Sequence, residues 1–324
     1  MSTTPVPAPS SAVVAFGGGT GLPVLLAGLR DACSVTAVVT VADDGGSSGR
    51  LREELGIAPP GDVRSCLVAL AGRRRLAEVF EYRFETGVDL RDHSVGNIII
   101  AALSDMSGGF CEGVERAGRF LRIRGRVLPA ATQALTLVLT HADGTVTRGE
   151  STLGAVPAPV RAVAAEPPGA LAPPEVLAAI READAAVLGP GSLFTSTIAA
   201  LLGSGVREAL ADFHRPIVYV ANLMTQPGET DGFTVADHLR AIADHVGAVV
   251  TDVLVGSERP PKALVGRYRA EGAEPVRVDR EAIAALGVRV HEAPLLEERP
   301  RGELRHDAGR LARAVLALAG ERAS

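Results

Sequence analysis

Residues 12–16 form a continuous apolar run of the kind a buried parallel strand needs, and the run stops on Gly17, Gly18 and Gly19. Past Thr20 and Gly21, the residues Leu22, Leu25, Leu26 and Leu29 fall at helical spacing, so the glycine turn opens a helix. A second apolar run, residues 35–41, comes directly after and ends on the adjacent acids Asp43 and Asp44. The device returns in the second half, where the apolar residues 185–188 run into Gly189, Pro190, Gly191 and Ser192 and then into a helix with Thr195 and Ser196 in its first turns. Residues 217–220 and 248–255 predict further strands, and shorter ones are expected around Val276 and Val290.

Helical patterns fill the intervals. Asp62 is placed to cap a helix over residues 63–73, and a charged helical segment surrounds Tyr82. Asp92 or Ser94 caps the deeply apolar VGNIIIAAL, and residues 109–122, 175–183 and 234–246 are further helices. Asp307 caps a last helix that runs to Ala319. Residues 133–140 and 145–150 predict a hairpin around Asp143 and Gly144, and the Pro- and Ala-rich residues 156–174 predict an irregular crossing. Strands alternating with helices define an α/β fold: a Rossmann-like, mostly parallel sheet flanked by helices, with a small antiparallel hairpin addition.

The chemistry sits where strands end. The first amides of a helix lack intrahelical partners, and together with the helix dipole they suit a phosphate. Gly17 and Gly19 fit the first two glycines of G-x-G-x-x-G, but Leu22 stands at the third, and no lysine comes after them as in a Walker A loop. Asp43 and Asp44 lie where Rossmann-type proteins place an acid near a ribose, and Gly45, Gly46, Ser47, Ser48 and Gly49 add a second flexible, donor-rich loop. Gly189, Gly191 and Ser192 make a second candidate anion site. The failed G-x-S-x-G pattern, with Pro190 and Phe194 where the glycines belong, argues against a hydrolase nucleophile there. Asn222, Thr225 and Gln226 belong to a long polar loop at a strand end, the place where open α/β proteins hold substrate. Asn97 is a carboxamide in the first turn of a buried helix and needs hydrogen-bond partners, either a ligand or an internal cap. Asp62 and Arg64 come soon enough after the acidic loop to face the same crevice.

Composition narrows the classes. With 324 residues and 47% apolar content the chain can bury a large core, and alternation without a linker favours one domain. A formal charge of −5, with no basic block longer than Arg73, Arg74 and Arg75, argues against a nucleic-acid surface. Three scattered cysteines make neither a disulfide framework nor a zinc site and fit a reducing compartment. Lys262 is the only lysine, which argues against Schiff-base chemistry, and His238 and His245 lack the H-E-x-x-H spacing of a metal centre. No apolar run reaches the length of a membrane span, and residues 1–11 read as a disordered tail without the features of a signal peptide.

Six motifs then occur in a recognisable order: GGGTG at residues 17–21, TVADDGGSSGRLR at 40–52, PPGD at 59–62, HSVGN at 93–97, GPGSLFTS at 189–196 and NLMTQPGET at 222–230. In these the chain resembles the bacterial gluconeogenesis factor family, the YvcK-like group, whose relatives include the 2-phospho-L-lactate transferases of deazaflavin cofactor synthesis. The resemblance covers nearly all of residues 13–257 and part of the C-terminal remainder. It implies a single Rossmann-like domain over residues 12–320, in the cytoplasm, that binds a nucleotide sugar such as UDP-N-acetylglucosamine, or a dinucleotide. It further implies a role in growth on gluconeogenic carbon and in cell shape through peptidoglycan supply. A homo-oligomer is expected, with a regulatory protein kinase or a cell-wall enzyme as partner, and neither nucleic acid nor a membrane span.

Carried over by motif, Gly18, Gly19 and Thr20, flanked by Gly17 and Gly21, would meet the diphosphate, with Asp43 and Asp44 near the nucleoside or a metal. Asn97, Gly191, Ser192 and Asn222 would line the same pocket, with Ser47, Ser48, Gly189, Thr225 and Gln226 beside them. The transferases handle a guanosine nucleotide with Mg²⁺ held by acids, which here would be Asp43, Asp44 and Asp62. The GGSSGR stretch departs from the transferases and matches the gluconeogenesis factors. The expected function is therefore a metabolite sensor, with a Mg²⁺-dependent phospholactyl or phosphoryl transferase as the alternative. An NAD-dependent oxidoreductase would need a catalytic Tyr-Lys or His-Asp set that the sequence does not offer.

Overall fold

The computed structural model describes residues 11–87, 90–300 and 302–320, so the expected tail lies, apart from Ser11, outside the described residues. The first third of the chain forms β1 (Ala12–Gly17), α1 (Gly21–Leu29), β2 (Ser34–Val39), α2 (Gly46–Leu55), α3 (Gly61–Ala69), α4 (Arg74–Glu81), α5 (Val95–Ser107) and α6 (Phe110–Leu121). Next come β3 (Arg126–Pro129), β4 (Thr136–His141), β5 (Val146–Arg148), β6 (Val160–Glu166), α7 (Pro174–Glu182) and β7 (Ala185–Leu188). An irregular helical stretch over residues 193–201 leads to α8 (Val206–Ala211), β8 (Ile217–Val220), α9 (Val235–Val246) and β9 (Asp252–Gly256). The chain then forms α10 (Lys262–Ala270), α11 (Arg280–Ala285), β10 (Arg289–Ala293), β11 (Leu296–Glu298), β12 (Leu304–His306) and α12 (Ala308–Gly320).

Seven strands make a parallel sheet in the order β10-β9-β8-β7-β1-β2-β3. The chain starts in the middle at β1, builds outward to β3, and returns to the other side of β1 with β7. Helices cover both faces, which is why β7 and β8 are apolar and buried at every position rather than alternating. On one face Leu22, Leu25, Leu26 and Leu29 of α1 are buried beside α12, and on the other Leu193, Phe194 and Ile198 close the core. Each such side chain contributes roughly 1.5–3 kcal/mol of transfer free energy. The order of strands reverses between β1 and β7, so the loops leaving these two strands part and leave a crevice at their carboxyl ends.

Local signals set most element ends. Ser94, rather than Asp92, caps α5 by accepting the Asn97 amide at 3.2 Å. Thr234 and Asp237 form a capping box on α9, and Asp307 accepts the Arg310 amide at 2.7 Å at the start of α12. Four expectations need correction. Residues 45–49 are not a free loop, since α2 begins at Gly46 and Ser47, Ser48 and Gly49 are buried in its first turns. Asp62 does not cap its own helix, because α3 already begins at Gly61. The expected irregular crossing contains β6, whose alanine-rich sequence gives a weak strand signal but which pairs with β4 in a three-stranded antiparallel sheet with β5. Near Val276 there are two isolated bridges, Met224 with Pro275 and Thr234 with Arg277, and no strand.

Candidate functional site

The turns after β1 and β7 lie side by side, since Gly189 donates its amide to the Phe16 carbonyl at 2.8 Å. Gly19 has φ +58°, a region open to glycine at little cost. A Cβ on Gly21 would sit 2.3 Å from the Pro190 carbonyl oxygen, so the two backbones approach as closely as only glycine permits. The loop after β8 closes over them: the Gln226 carboxamide donates to Ser192 Oγ at 2.8 Å. Thr225 is tied to the far side, donating its amide to the Glu274 carbonyl at 2.7 Å and accepting the Glu274 amide on Oγ1 at 2.9 Å.

These three loops border a crevice of about 390 Å³. Of the expected site residues, Gly19, Thr20, Gly21, Gly191, Ser192, Asn222, Thr225 and Gln226 line it. The opposite wall is formed by Tyr268 and Glu271 at the end of α10 and by Glu303, Arg305 and His306 around β12. Arg305 donates to Thr20 Oγ1 at 2.5 Å, which brings a guanidinium to the first turn of α1. Burial pushes the His306 imidazole down to about 4, so it is neutral at physiological pH.

Beneath the glycine turn lies a group of acids. Asp62 accepts the Gly19 amide at 2.7 Å, yet desolvation, seconded by the charge of Asp43, pushes its carboxyl up to about 6. Glu150, in the short turn after β5, rises to about 8 through desolvation and the charges of Asp62, Asp43 and Glu229. Glu229 is buried and accepts the amides of Phe194 and Thr195, each at 3.0 Å; burial outweighs those bonds and lifts it to about 7. Asp43 accepts the Gly45 amide at 2.9 Å. Asp44 is engaged elsewhere, accepting the Ser151 amide at 2.8 Å and the Ser151 hydroxyl at 3.1 Å.

The expected metal set of Asp43, Asp44 and Asp62 is therefore not assembled, because Ser151 takes both oxygens of Asp44. Among the described residues no three His, Cys, Asp or Glu side chains are gathered to hold a metal ion. Asp43 and Asp62 remain as a pair whose mutual repulsion a cation would relieve. Such a pair suits Mg²⁺, which is commonly held by one or two carboxylates together with substrate phosphates.

Asn97 is also corrected as a crevice residue. Its carboxamide donates to Ser47 Oγ at 3.0 Å and accepts from Arg64 Nε at 3.1 Å, and Ser47 Oγ lies 3.0 Å from His93 Nδ1. With Asn97 1% exposed, this network is internal and joins α2, α3 and α5 behind the acids. Ser48 packs at the start of α3, where a Cβ on Gly61 would lie 2.4 Å from its hydroxyl oxygen. Gly17, Gly18 and Gly189 shape the turns without lining the crevice. A Cβ on Gly18 would meet Asp62 Oδ2 at 2.4 Å.

Sequence reasoning missed Tyr268, Arg305 and His306 on the crevice wall, and Glu150 and Glu229 below it. Glu229 lies inside one of the six motifs, and its burial is the fact that the motif does not carry. Arg305 and His306 have only a position before a capped helix to mark them.

A parallel sheet reversing between two glycine turns, with a crevice at the reversal, defines a Rossmann-like α/β protein with a candidate ligand site at its switch point. The chain belongs to the 2-phospho-L-lactate transferase CofD family, whose model matches residues 13–296. It is 46% identical over 308 residues to the gluconeogenesis factor of Halalkalibacterium halodurans, covering 94% of this chain and 95% of that protein. It is 42% identical over 312 residues to the gluconeogenesis factor of Bacillus subtilis, covering 95% of this chain and 98% of that protein. A crystal structure of a protein from Bacillus halodurans superimposes with a TM-score of 0.92 at 45% identity, covering 94% of this chain and 99% of the other. The family resemblance drawn from the six motifs and the expected fold class both hold. Among the described residues no helix is long and apolar enough to cross a membrane.

Proposed function

We propose that this protein is a gluconeogenesis factor: a cytoplasmic protein whose residues 12–320 form one domain that binds a nucleotide sugar of the UDP-N-acetylglucosamine kind. In this reading it senses that metabolite and links growth on gluconeogenic carbon to peptidoglycan supply and cell shape. The main support is the crevice itself, where glycine backbones from two strand ends approach each other beside Arg305 and Thr20. Backbone amides and a guanidinium are the groups that hold a diphosphate. The relatives that match 94% and 95% of this chain are themselves called gluconeogenesis factors. A thermal-shift and calorimetric screen of UDP-N-acetylglucosamine, GDP and NAD tests the reading. UDP-N-acetylglucosamine at 100 times its Kd should add about 2.7 kcal/mol of stability. No response to that ligand overturns it.

A second reading, a Mg²⁺-dependent phospholactyl or phosphoryl transferase, is favoured by the family match and by the Asp43–Asp62 pair. Asp43 and Asp62 would hold the ion, which would neutralise charge on the transferred phosphorus. The glycine turns would orient the phosphates, and the Asn222–Gln226 side of the crevice would exclude water. Isotope-labelled turnover with purified protein separates this reading from the first.

A further inference from the structure

The seven-stranded sheet ends on one side at β3, and among the described residues no strand pairs with its outer flank. A groove of about 640 Å³ runs along that flank, and it shares no residue with the crevice between the glycine turns. Val127, Leu128 and Pro129 of β3 give it an apolar side, together with Val114 of α6 and Pro173 ahead of α7. Leu171, two residues before Pro173, is 64% exposed. An uncovered sheet edge of this kind invites an occupant. Pro129 closes the strand and has no amide hydrogen to offer, so a further strand fits poorly and a helix fits better.

The charged rim of the groove says which helix. Glu112, Glu115 and Arg119 of α6 and Arg122 at its end all line the groove and are all exposed, and their spacing keeps them on one stripe. Glu115 and Arg119 pair with each other at 3.4 Å, while among the described residues Glu112 and Arg122 have no ion partner. With its acids at the N-terminal end of the stripe and its arginines at the C-terminal end, α6 is complementary to a reversed copy of itself. We propose that the groove is the contact between two copies of this chain, related by a two-fold axis near Ala117, with the two α6 helices antiparallel and each lying in the other copy's groove. Glu112 then meets Arg122 of the other copy and Glu115 meets Arg119, and each pair occurs twice because a two-fold contact uses the same patch on both sides. Removing Val127, Leu128 and Pro173 of both copies from water supplies attraction, and the order of charges fixes the antiparallel register. Gly118, which also lines the groove, leaves room near the axis for the helices to approach. This contact is independent of whatever the crevice binds.

Charge reversal tests the contact without touching the crevice. Light scattering and sedimentation of the full chain should show a dimer in the wild type, and Glu115→Arg and Arg119→Glu should each weaken it about tenfold or more, because like charges then face each other across the axis. An equimolar mixture of the two variants should recover the dimer, since each presents the charge that the other lacks. Both side chains are exposed, so losing their pair within the helix should leave the melting temperature close to that of the wild type. Cys111 gives a readout without any substitution. It lines the groove, whereas Cys33 and Cys66 are buried, so its alkylation in the wild type should be slow in concentrated protein and speed up on dilution. A wild type that is monomeric at every concentration, a dimer that survives both reversals, or a mixture of the variants that stays monomeric overturns the proposal.

Discussion

The carboxylate of Asp62 accepts the amide hydrogen of Gly19 at 2.7 Å, which fastens the first turn of α3 to the glycine turn after β1. An acid at a helix start ordinarily serves its own helix. Here it serves a turn that leads into another, so the crevice floor and α3 are a single hydrogen-bonded unit. Removing the acceptor leaves an amide in a half-buried turn without a partner. Asp62→Ala should lose about 1–3 kcal/mol of stability in chemical denaturation and loosen the crevice, whereas Asp62→Asn keeps an acceptor oxygen and should stay within about 1 kcal/mol of the wild type. Equal losses in the two variants would show that the bond to Gly19 is not what matters at this position.

The raised carboxyls make stability depend on pH in a definite direction. Asp62, Glu150 and Glu229 titrate at about 6, 8 and 7 in the folded protein, above their unfolded values near 4. Between those limits the folded chain holds more protons than the unfolded chain, so stability falls as pH rises. His238 and His306, both lowered to about 4 by burial, act oppositely but only below their unfolded value of 6.5. From about pH 6.5 to pH 8 the carboxyls therefore act alone, and the melting temperature should decline across that window. Glu150→Gln should flatten the decline, by on the order of 1 kcal/mol at pH 8. Parallel wild-type and variant curves would remove Glu150 from the effect.

Close approach of the two glycine turns gives a sharper test. Gly21→Ala places a Cβ 2.3 Å from the Pro190 oxygen and 2.6 Å from the Pro190 carbonyl carbon, and both are backbone atoms that cannot swing aside. The loops must separate, so the variant should lose about 1–3 kcal/mol and bind UDP-N-acetylglucosamine at least tenfold more weakly. Gly46→Ala is the control: its φ of +47° makes alanine cost about 1 kcal/mol, but no atom lies within 4 Å, and affinity should be retained. Wild-type affinity in Gly21→Ala would detach the turns from ligand binding.

How much of this is legible in the sequence depends on distance along the chain. The strand, glycine turn and helix at residues 12–29 are local, and their apolar spacing states them outright. That the second glycine turn lies beside the first comes from the rule that parallel strands point their carboxyl ends one way. The partner of Asp62 is 43 residues away, and the partner of Thr20 is Arg305, 285 residues on. Periodicity carries no information about such pairs. Asn97 stands out in the sequence as a buried carboxamide in need of partners, but only the folded chain brings Ser47 and Arg64 to it. β6 is hidden by its alanines, which give little strand preference in isolation, while Val160 and Val163 are the residues it buries.

The adjacent acids Asp43 and Asp44 divide the two functional readings. Asp44 holds Ser151 with both oxygens and so secures the turn that carries Glu150. Asp44→Asn keeps an acceptor for the Ser151 amide, and its effect on ligand affinity should stay within threefold in either reading. Asp43 stands close enough to Asp62 to raise its titration point, so two carboxylates repel one another beneath the Gly19 turn. If the ligand is a nucleotide sugar bound without metal, Asp43→Asn relieves that repulsion, and UDP-N-acetylglucosamine should bind as well as before, or better, in the presence of EDTA. If the protein is a transferase, Asp43 and Asp62 need their charge to hold Mg²⁺. Nucleotide binding should then vanish both with EDTA and in Asp43→Asn. Calorimetry on three proteins, wild type, Asp43→Asn and Asp44→Asn, each with Mg²⁺ and with EDTA, decides between them. Metal-independent binding that survives Asp43→Asn excludes the transferase arrangement, and strict Mg²⁺ dependence lost in the same variant excludes the metal-free one.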